Sequence, residues 1–263
     1  MSEFETIQLD IDHCGVARLT LNRPEKHNSL NAQMIAELRS ALKQIGSDAT
    51  IRVVVLSGAG KSFCAGGDLG WMKQQFESDR AGRIAQATEL AEMLKELDTL
   101  NKPVIARVNG QAYGGGVGMM AVCDIVVAAD DARFALTETK LGLIPATIGP
   151  FIVARMGEGN VRCVALNACP FDTIEAVEMG LVTESVPSNK LDEAINNQID
   201  LFLECAPGAV ADTKDWIMMI ARNPGKDHLA ASVERLADRW EENETEEGLN
   251  CFFDRTKPSW QGE

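Results

Sequence analysis

PVIARVNGQAYGGGVGMMAVCDIVVAAD, residues 103–130, is the stretch whose reading decides the fold class. PVIARV (103–108) is a continuous apolar run, the pattern of a strand buried on both faces. YGGGVGMM (113–120) leads into a short buried helix, and DIVVAAD (124–130) is another apolar strand. Strand, helix and strand in immediate succession indicate an α/β fold with mainly parallel pairing. The helix start is costly, because Gly114, Gly115, Gly116 and Gly118 each lose up to ~1 kcal/mol against alanine in a helix. Something must approach this backbone closely, and position 118 must lack a side chain for a reason.

The flanking segments follow the same alternation. IRVVVLSGAG (51–60) reads as a buried strand ending in glycine, and KSFCAGGDLGW (61–71) as a loop. Residues 6–12 and 15–22 read as two strands joined at His13, Cys14 and Gly15. NRPEKHNSLN (22–31) is a loop whose final Asn31 can cap a helix carrying Met34, Ile35, Leu38, Leu42 and Ile45. Ile84, Ala87, Leu90, Met93, Leu94 and Leu97 mark a long amphipathic helix, and ARFALTE (132–138) a shorter strand. After about residue 200 the strands stop. Trp216, Ile217 and Ile220 lie on one helix, and Leu229, Val233, Leu236 and Trp240 on another.

Bulk properties exclude several function classes. The 263 residues are 45% apolar and 24% charged, ordinary for a soluble globular chain. A net charge of −14 argues against a nucleic-acid surface. No apolar run reaches the ~18–20 residues of a membrane span. The acidic MSEFETIQLD start lacks the features of a signal peptide. Seven cysteines without a CxxC pair favour reduced thiols in a cytoplasm over disulfides or zinc.

Two apparent nucleotide motifs fail. VVVLSGAGKSF would need a glycine at Val55 to be a phosphate loop, and a dinucleotide fingerprint would need one at Met119. His13, His27 and His228 have no ligand-like neighbours, which speaks against a histidine triad or a metal site. CAGGDLG (64–70) and YGGGVG (113–118) remain, each following a buried strand. Two backbone N–H groups converging from such loops make an oxyanion hole for a thioester enolate. On spacing alone, a pair of tight packing turns is the alternative.

NRPEKHNSLN, SFCAGGDLGWM, ARVNGQAYGGGVGMMAVCDIVVA and ALTETKLGLIP resemble, in that order, the signature segments of the enoyl-CoA hydratase/isomerase (crotonase) superfamily. The similarity runs from about residue 6 to EGLNCFFDRTKPSW at the C-terminus. It implies an α/β crotonase (ClpP-like) fold of repeated ββα units in two roughly perpendicular sheets. The core would span 1–200, and a helical region, 201–263, would pack between subunits of a homotrimer or homohexamer. It implies an acyl-CoA thioester as substrate, CoA arriving with it, and no metal or redox cofactor.

The resemblance also assigns residues. Ala65 and Gly115 would give the oxyanion hole, and Glu138 would be catalytic. Arg23, Lys26 and His27 are candidates for the CoA phosphates and adenine; Ala65, Gly66, Gly67, Asp68 and Leu69 would flank adenine and pantetheine. Arg255 and Lys257 would reach the CoA of a neighbouring subunit. Well-known hydratases carry a second glutamate where this chain has Gly118, so a carboxylate is missing. One carboxylate still serves a hydratase that takes water's proton and returns one to Cα. GGDLGWM, GGGVG and ETKLGLIPATIGPFIV are similar to bacterial hydratases of branched glutaconyl-CoA, such as 3-methylglutaconyl-CoA in leucine breakdown. A double-bond isomerase using Glu138 alone is the alternative, followed by a non-catalytic thioester-binding protein; a thioester hydrolase or decarboxylase would share the oxyanion hole. Trp71 and Phe151 are candidates for the pocket wall. Arg155 and Lys140 suit surface ion pairs better than a substrate carboxylate, and Asp124 is read as structural.

Overall fold

The computed structural model describes residues 4–262, so Met1 to Glu3 of the acidic N-terminal stretch and Glu263 lie outside the described residues. The chain opens with strands β1 (Ile7–Ile11) and β2 (Val16–Leu21), then helix α1 (Ala32–Ser47). Asn31 caps α1 as expected, its side chain accepting the Met34 N–H at 2.9 Å. Next come β3 (Val53–Gly58), β4 (Ser62–Cys64), α2 (Leu69–Glu77) and α3 (Arg80–Asp98). The following unit is β5 (Val104–Val108), β6 (Gln111–Tyr113) and α4 (Gly115–Ala121). A third is β7 (Ile125–Ala129), β8 (Arg133–Ala135) and α5 (Gly149–Ala165). β9 (Phe171–Asp172), α6 (Thr173–Glu178), β10 (Glu184–Val186) and α7 (Leu191–Leu203) complete the core.

Each unit thus sends its first strand into one sheet and its second into another. The larger sheet has the order β1-β2-β3-β5-β7-β10, the smaller β4-β6-β8-β9. Pairing is parallel except between β1 and β2 and between β8 and β9. This is the expected repeat of ββα units. Part of the 61–71 loop is the short strand β4, all three residues of which are buried. Three residues are too few to show a two-residue period in sequence.

The apolar strand runs are explained by burial on both faces. In β3, Val54 and Leu56 join the main core with residues of α1, α3 and α4, while Val53 and Val55 face a second cluster with Leu191, Ile195 and Ile199 of α7. Because α7 belongs to that cluster, the change from sheet-packed to peripheral helices falls after Leu203.

Beyond it lie α8 (Pro207–Ala221), α9 (Leu229–Trp240) and α10 (Asn243–Asp254), none contributing a fully buried residue. They are held to the core by polar ties. Arg52 donates to the carbonyls of Cys205 (2.7 Å) and Trp260 (2.9 Å), and Lys214 pairs with Asp124 at 2.7 Å. Asp124 also accepts the Val104 N–H at 2.7 Å, the structural role read for it. The apolar stripe of α9, Leu229, Val233, Leu236 and Trp240, is exposed on the chain. Among the described residues no helix is long and apolar enough to cross a membrane.

Candidate active site

Four chain segments converge where β4 and β6 end. The 22–31 loop is strapped to the first glycine loop through its main chain. Leu30 N–H donates to the Gly66 carbonyl at 2.7 Å, and Asp68 N–H donates to the Leu30 carbonyl at 2.8 Å. Asn28 donates from its amide to the carbonyls of Ala59 and Ser62, both at 2.8 Å.

The two glycine loops touch. Gly66 holds a left-handed φ of +88°, and a Cβ there would stand 2.9 Å from the Tyr113 carbonyl oxygen. A Cβ on Gly116 would overlap the Cys64 carbonyl oxygen and stand 3.0 Å from Cys64 Cβ. One on Gly115 would stand 2.8 Å from Leu30 Cδ1. Close packing is therefore the reason for the glycine triplet, against main chain at Gly116 and against side chains at Gly114 and Gly115.

The expected pair of oxyanion donors needs one correction. Ala65 N–H is occupied, donating to the His27 carbonyl at 3.0 Å. Gly67 is the candidate that the main-chain geometry leaves in that loop. It bridges Leu30 in parallel fashion, with Gly66 and Asp68 making both hydrogen bonds, which turns Gly67's own N–H to the opposite side. Gly115 begins α4, where N–H groups have no acceptor within the helix. Gly67 and Gly115 both lie against Leu30 and are the two candidate donors, neither carrying a side chain.

Glu138 starts the turn after β8. Its Oε1 lies 2.9 Å from the place a Cβ would take on Gly114, whose φ is +47°. Its Oε2 is buried and has no hydrogen-bond partner among the described residues. Burial pushes the carboxyl above its ordinary value, and only its own main-chain N–H works the other way. Desolvation together with an unpaired carboxylate oxygen makes Glu138 the candidate acid or base of this site.

The structure also corrects the role read for Arg23. Its guanidinium donates to the Ser29 carbonyl at 2.7 Å and to Asp68 Oδ2 at 2.9 Å, and the two charged side chains are 14% and 16% exposed. It is a clamp between the two loops rather than a free phosphate cation. Asp68 in turn caps α2 through the N–H groups of Gly70 and Trp71. Burial opposes the Asp68 charge, but Trp71 N–H, the Arg23 guanidinium and Gly70 N–H together hold its carboxyl below the ordinary value.

Lys26 and His27 are exposed on the 22–31 loop, with His27 Nδ1 3.0 Å from Ser62 Oγ. Leu69 is exposed at the start of α2. Lys257 is exposed beyond α10, and no hydrogen bond or ion pair among the described residues ties it to this cluster. Trp71 and Phe151 pack half-buried against the main core, Trp71 donating to Gln86 at 3.1 Å. Arg155 donates to the carbonyls of Cys123 and Gly180, both at 3.0 Å, as a structural clamp; Lys140 is exposed.

Sequence reading missed Ile148. A Cβ on Gly118 would overlap Ile148 Cγ2 and stand 2.9 Å from Ile148 Cβ, with Leu94 Cδ1 at 3.8 Å. Hydrocarbon therefore fills the space over position 118. No local signal marks this pairing, because the two residues meet only through the packing of α4 against the start of α5. Among the described residues no group of His, Cys, Asp and Glu is placed to hold a metal ion.

Comparison with known proteins agrees with this architecture. The family model for enoyl-CoA hydratase/isomerase matches residues 12–263. The crystal structure of an enoyl-CoA hydratase from Shewanella pealeana superposes with a TM-score of 0.94 at 34% identity, covering 98% of this chain and 97% of that one. Enoyl-CoA hydratase AKT6-1 of Alternaria alternata is 33% identical over 219 residues, 83% of this chain and 71% of that protein. The 1,2-epoxyphenylacetyl-CoA isomerase of Escherichia coli is 32% identical over 262 residues, 94% of this chain and 95% of that protein. With its ββα core, its paired glycine loops and a match over nearly its whole length, this chain belongs to the enoyl-CoA hydratase/isomerase family of the crotonase superfamily.

Proposed function

We propose that the protein is an enoyl-CoA hydratase that adds water across the 2,3 double bond of a 2-enoyl-CoA thioester, with Glu138 as its single acid/base. The observation that carries this reading is the buried, unpartnered Oε2 of Glu138 beside the start of α4. Gly67 and Gly115 N–H groups donate to the thioester oxygen and stabilise the enolate as negative charge develops there. Water attacks Cβ and gives its proton to Glu138, forming the C–O bond and the enolate. Glu138 then returns a proton to Cα, which restores the carboxylate and the thioester carbonyl.

Lys26 and His27, exposed at the rim, are the available contacts for the CoA phosphates, and Gly66 to Leu69 for the adenine and pantetheine. A branched acyl group such as that of 3-methylglutaconyl-CoA is the substrate inferred from the loop sequences. The exposed stripe on α9 supports a second copy of this chain as its partner, in a trimer or hexamer.

A double-bond isomerase is the second reading, favoured by Ile148. With hydrocarbon over position 118, a reaction that moves one proton between Cα and Cγ and needs no water is also well served. Incubation in deuterium oxide with crotonyl-CoA, 3-methylglutaconyl-CoA and a 3-enoyl-CoA, read by mass spectrometry, separates the two. A product heavier by water from a 2-enoyl substrate supports the hydratase. Conversion of the 3-enoyl compound alone, without water gain, replaces it with the isomerase.

A further inference from the structure

Gly114 caps α4 and Gly118 lies within it, and each is covered by a different side chain from the connection between β8 and α5. Glu138 lies over Gly114, and Ile148 lies over Gly118. The Gly118 N–H donates to the Gly114 carbonyl at 3.1 Å and so closes the turn between them. Ile148 and Glu138 therefore cover the two ends of one turn of backbone.

Ile148 is fixed in this place. It is 2% exposed, and its carbonyl accepts the N–H groups of Phe151 and Ile152, both at 3.1 Å, where α5 begins. Leu94 closes the same volume from α3. Any side chain added at position 118 must displace a residue anchored at both its main chain and its side chain. Overpacking of that kind is resisted by close-packed interiors.

We propose that Ile148 is a reaction-determining residue: it occupies the volume that a polar side chain at position 118 would need, and so keeps Glu138 as the only proton-transfer group of the site. This rests on the reading of Glu138 as the acid/base. Position 118 and position 148 then form one unit, so that neither can be changed in kind without the other.

A double-mutant cycle of Gly118→Glu and Ile148→Ala tests this, with melting temperature and turnover of crotonyl-CoA measured on the same proteins. Gly118→Glu alone is expected to melt well below wild type, or to fail to fold, because the carboxylate meets Ile148. Adding Ile148→Ala is expected to restore part of the melting temperature despite being a core truncation itself. The double variant should add water to crotonyl-CoA at least tenfold faster than Ile148→Ala alone. Its kcat/KM should also show a second titration that Ile148→Ala lacks. Additive melting shifts would overturn the shared volume, and identical rates and pH profiles for the double variant and Ile148→Ala would overturn the role in proton transfer. The melting cycle needs no turnover. A wild type inert towards every thioester would therefore overturn the acid/base reading and this role together, whatever coupling the melting data show.

Discussion

Gly116→Ala is the substitution that tests how closely the two glycine loops must meet. The new Cβ would stand 3.0 Å from Cys64 Cβ and 3.2 Å from Cys64 C, and it would overlap the Cys64 carbonyl oxygen. Carbon atoms pack best at about 3.5–4.0 Å, so α4 and the end of β4 must separate by roughly 0.5–1 Å. The neighbour is main chain of a buried strand and cannot rotate away. Overpacking of this size costs about 1–3 kcal/mol, against a gain of up to ~1 kcal/mol from replacing glycine in a helix. A net loss of about 1–2 kcal/mol corresponds to a melting temperature lower by roughly 2–8 °C for a chain of this size.

The effect on rate should be larger. The displaced segment runs straight into Gly67, and a shift of ~1 Å between reacting groups can cost on the order of 100-fold. Thermal melting and kcat/KM on the preferred thioester are the assays. An unchanged melting temperature with kcat/KM within threefold of wild type would refute the close approach as the reason for this glycine.

Other expected outcomes follow from single observations. Gly159→Ala, an exposed position inside α5 with nothing within 4 Å, should gain up to ~1 kcal/mol and raise the melting temperature, with activity unchanged. Glu138→Gln should be more stable than wild type at neutral pH. Its folded carboxyl is raised, so ionisation penalises the folded state once pH exceeds the unfolded value, and the penalty is complete above the folded one. The gain in melting temperature should fade as pH falls from the folded value towards about 4.3 and be gone below it, where both states are protonated. Asp68 has the opposite sign. Its lowered carboxyl contributes stability above the unfolded value of about 3.9, lost as pH falls through the folded value, so Asp68→Asn should flatten the acid limb of a stability–pH curve. Arg23→Ala should cost on the order of 1 kcal/mol in urea melts, by leaving the half-buried Asp68 carboxylate to its main-chain partners. The salt dependence of thioester binding should not change with it, because Arg23 is already engaged.

Much of the fold was legible because strong local signals agreed with it. Asn31 preceding a helical apolar period gave the start of α1, and the unbroken VVVL of β3 announced a strand buried on two faces. The short strands β4 and β6 carried no usable period and become strands only through the sheet they build together. In the candidate site, the glycine loops that meet there were legible from their motifs. The donor in the first loop was not, because the occupation of Ala65 N–H depends on the carbonyl of His27, from a distant segment. Arg23 was read as a ligand contact for the same reason: its partner, Asp68, lies 45 positions away. Ile148 carries no motif at all, and only its meeting with Gly118 gives it a role.

The central claim is that one buried carboxylate does the proton chemistry on a CoA thioester. The most direct test compares wild type with Glu138→Gln for both turnover and binding of the thioester that wild type converts. The account requires turnover to fall at least 1,000-fold, on the order of a lost general acid/base, while the dissociation constant stays within about threefold, since the glycine loops that hold the thioester remain intact. Retained turnover in the variant would contradict it and move the chemistry to another group.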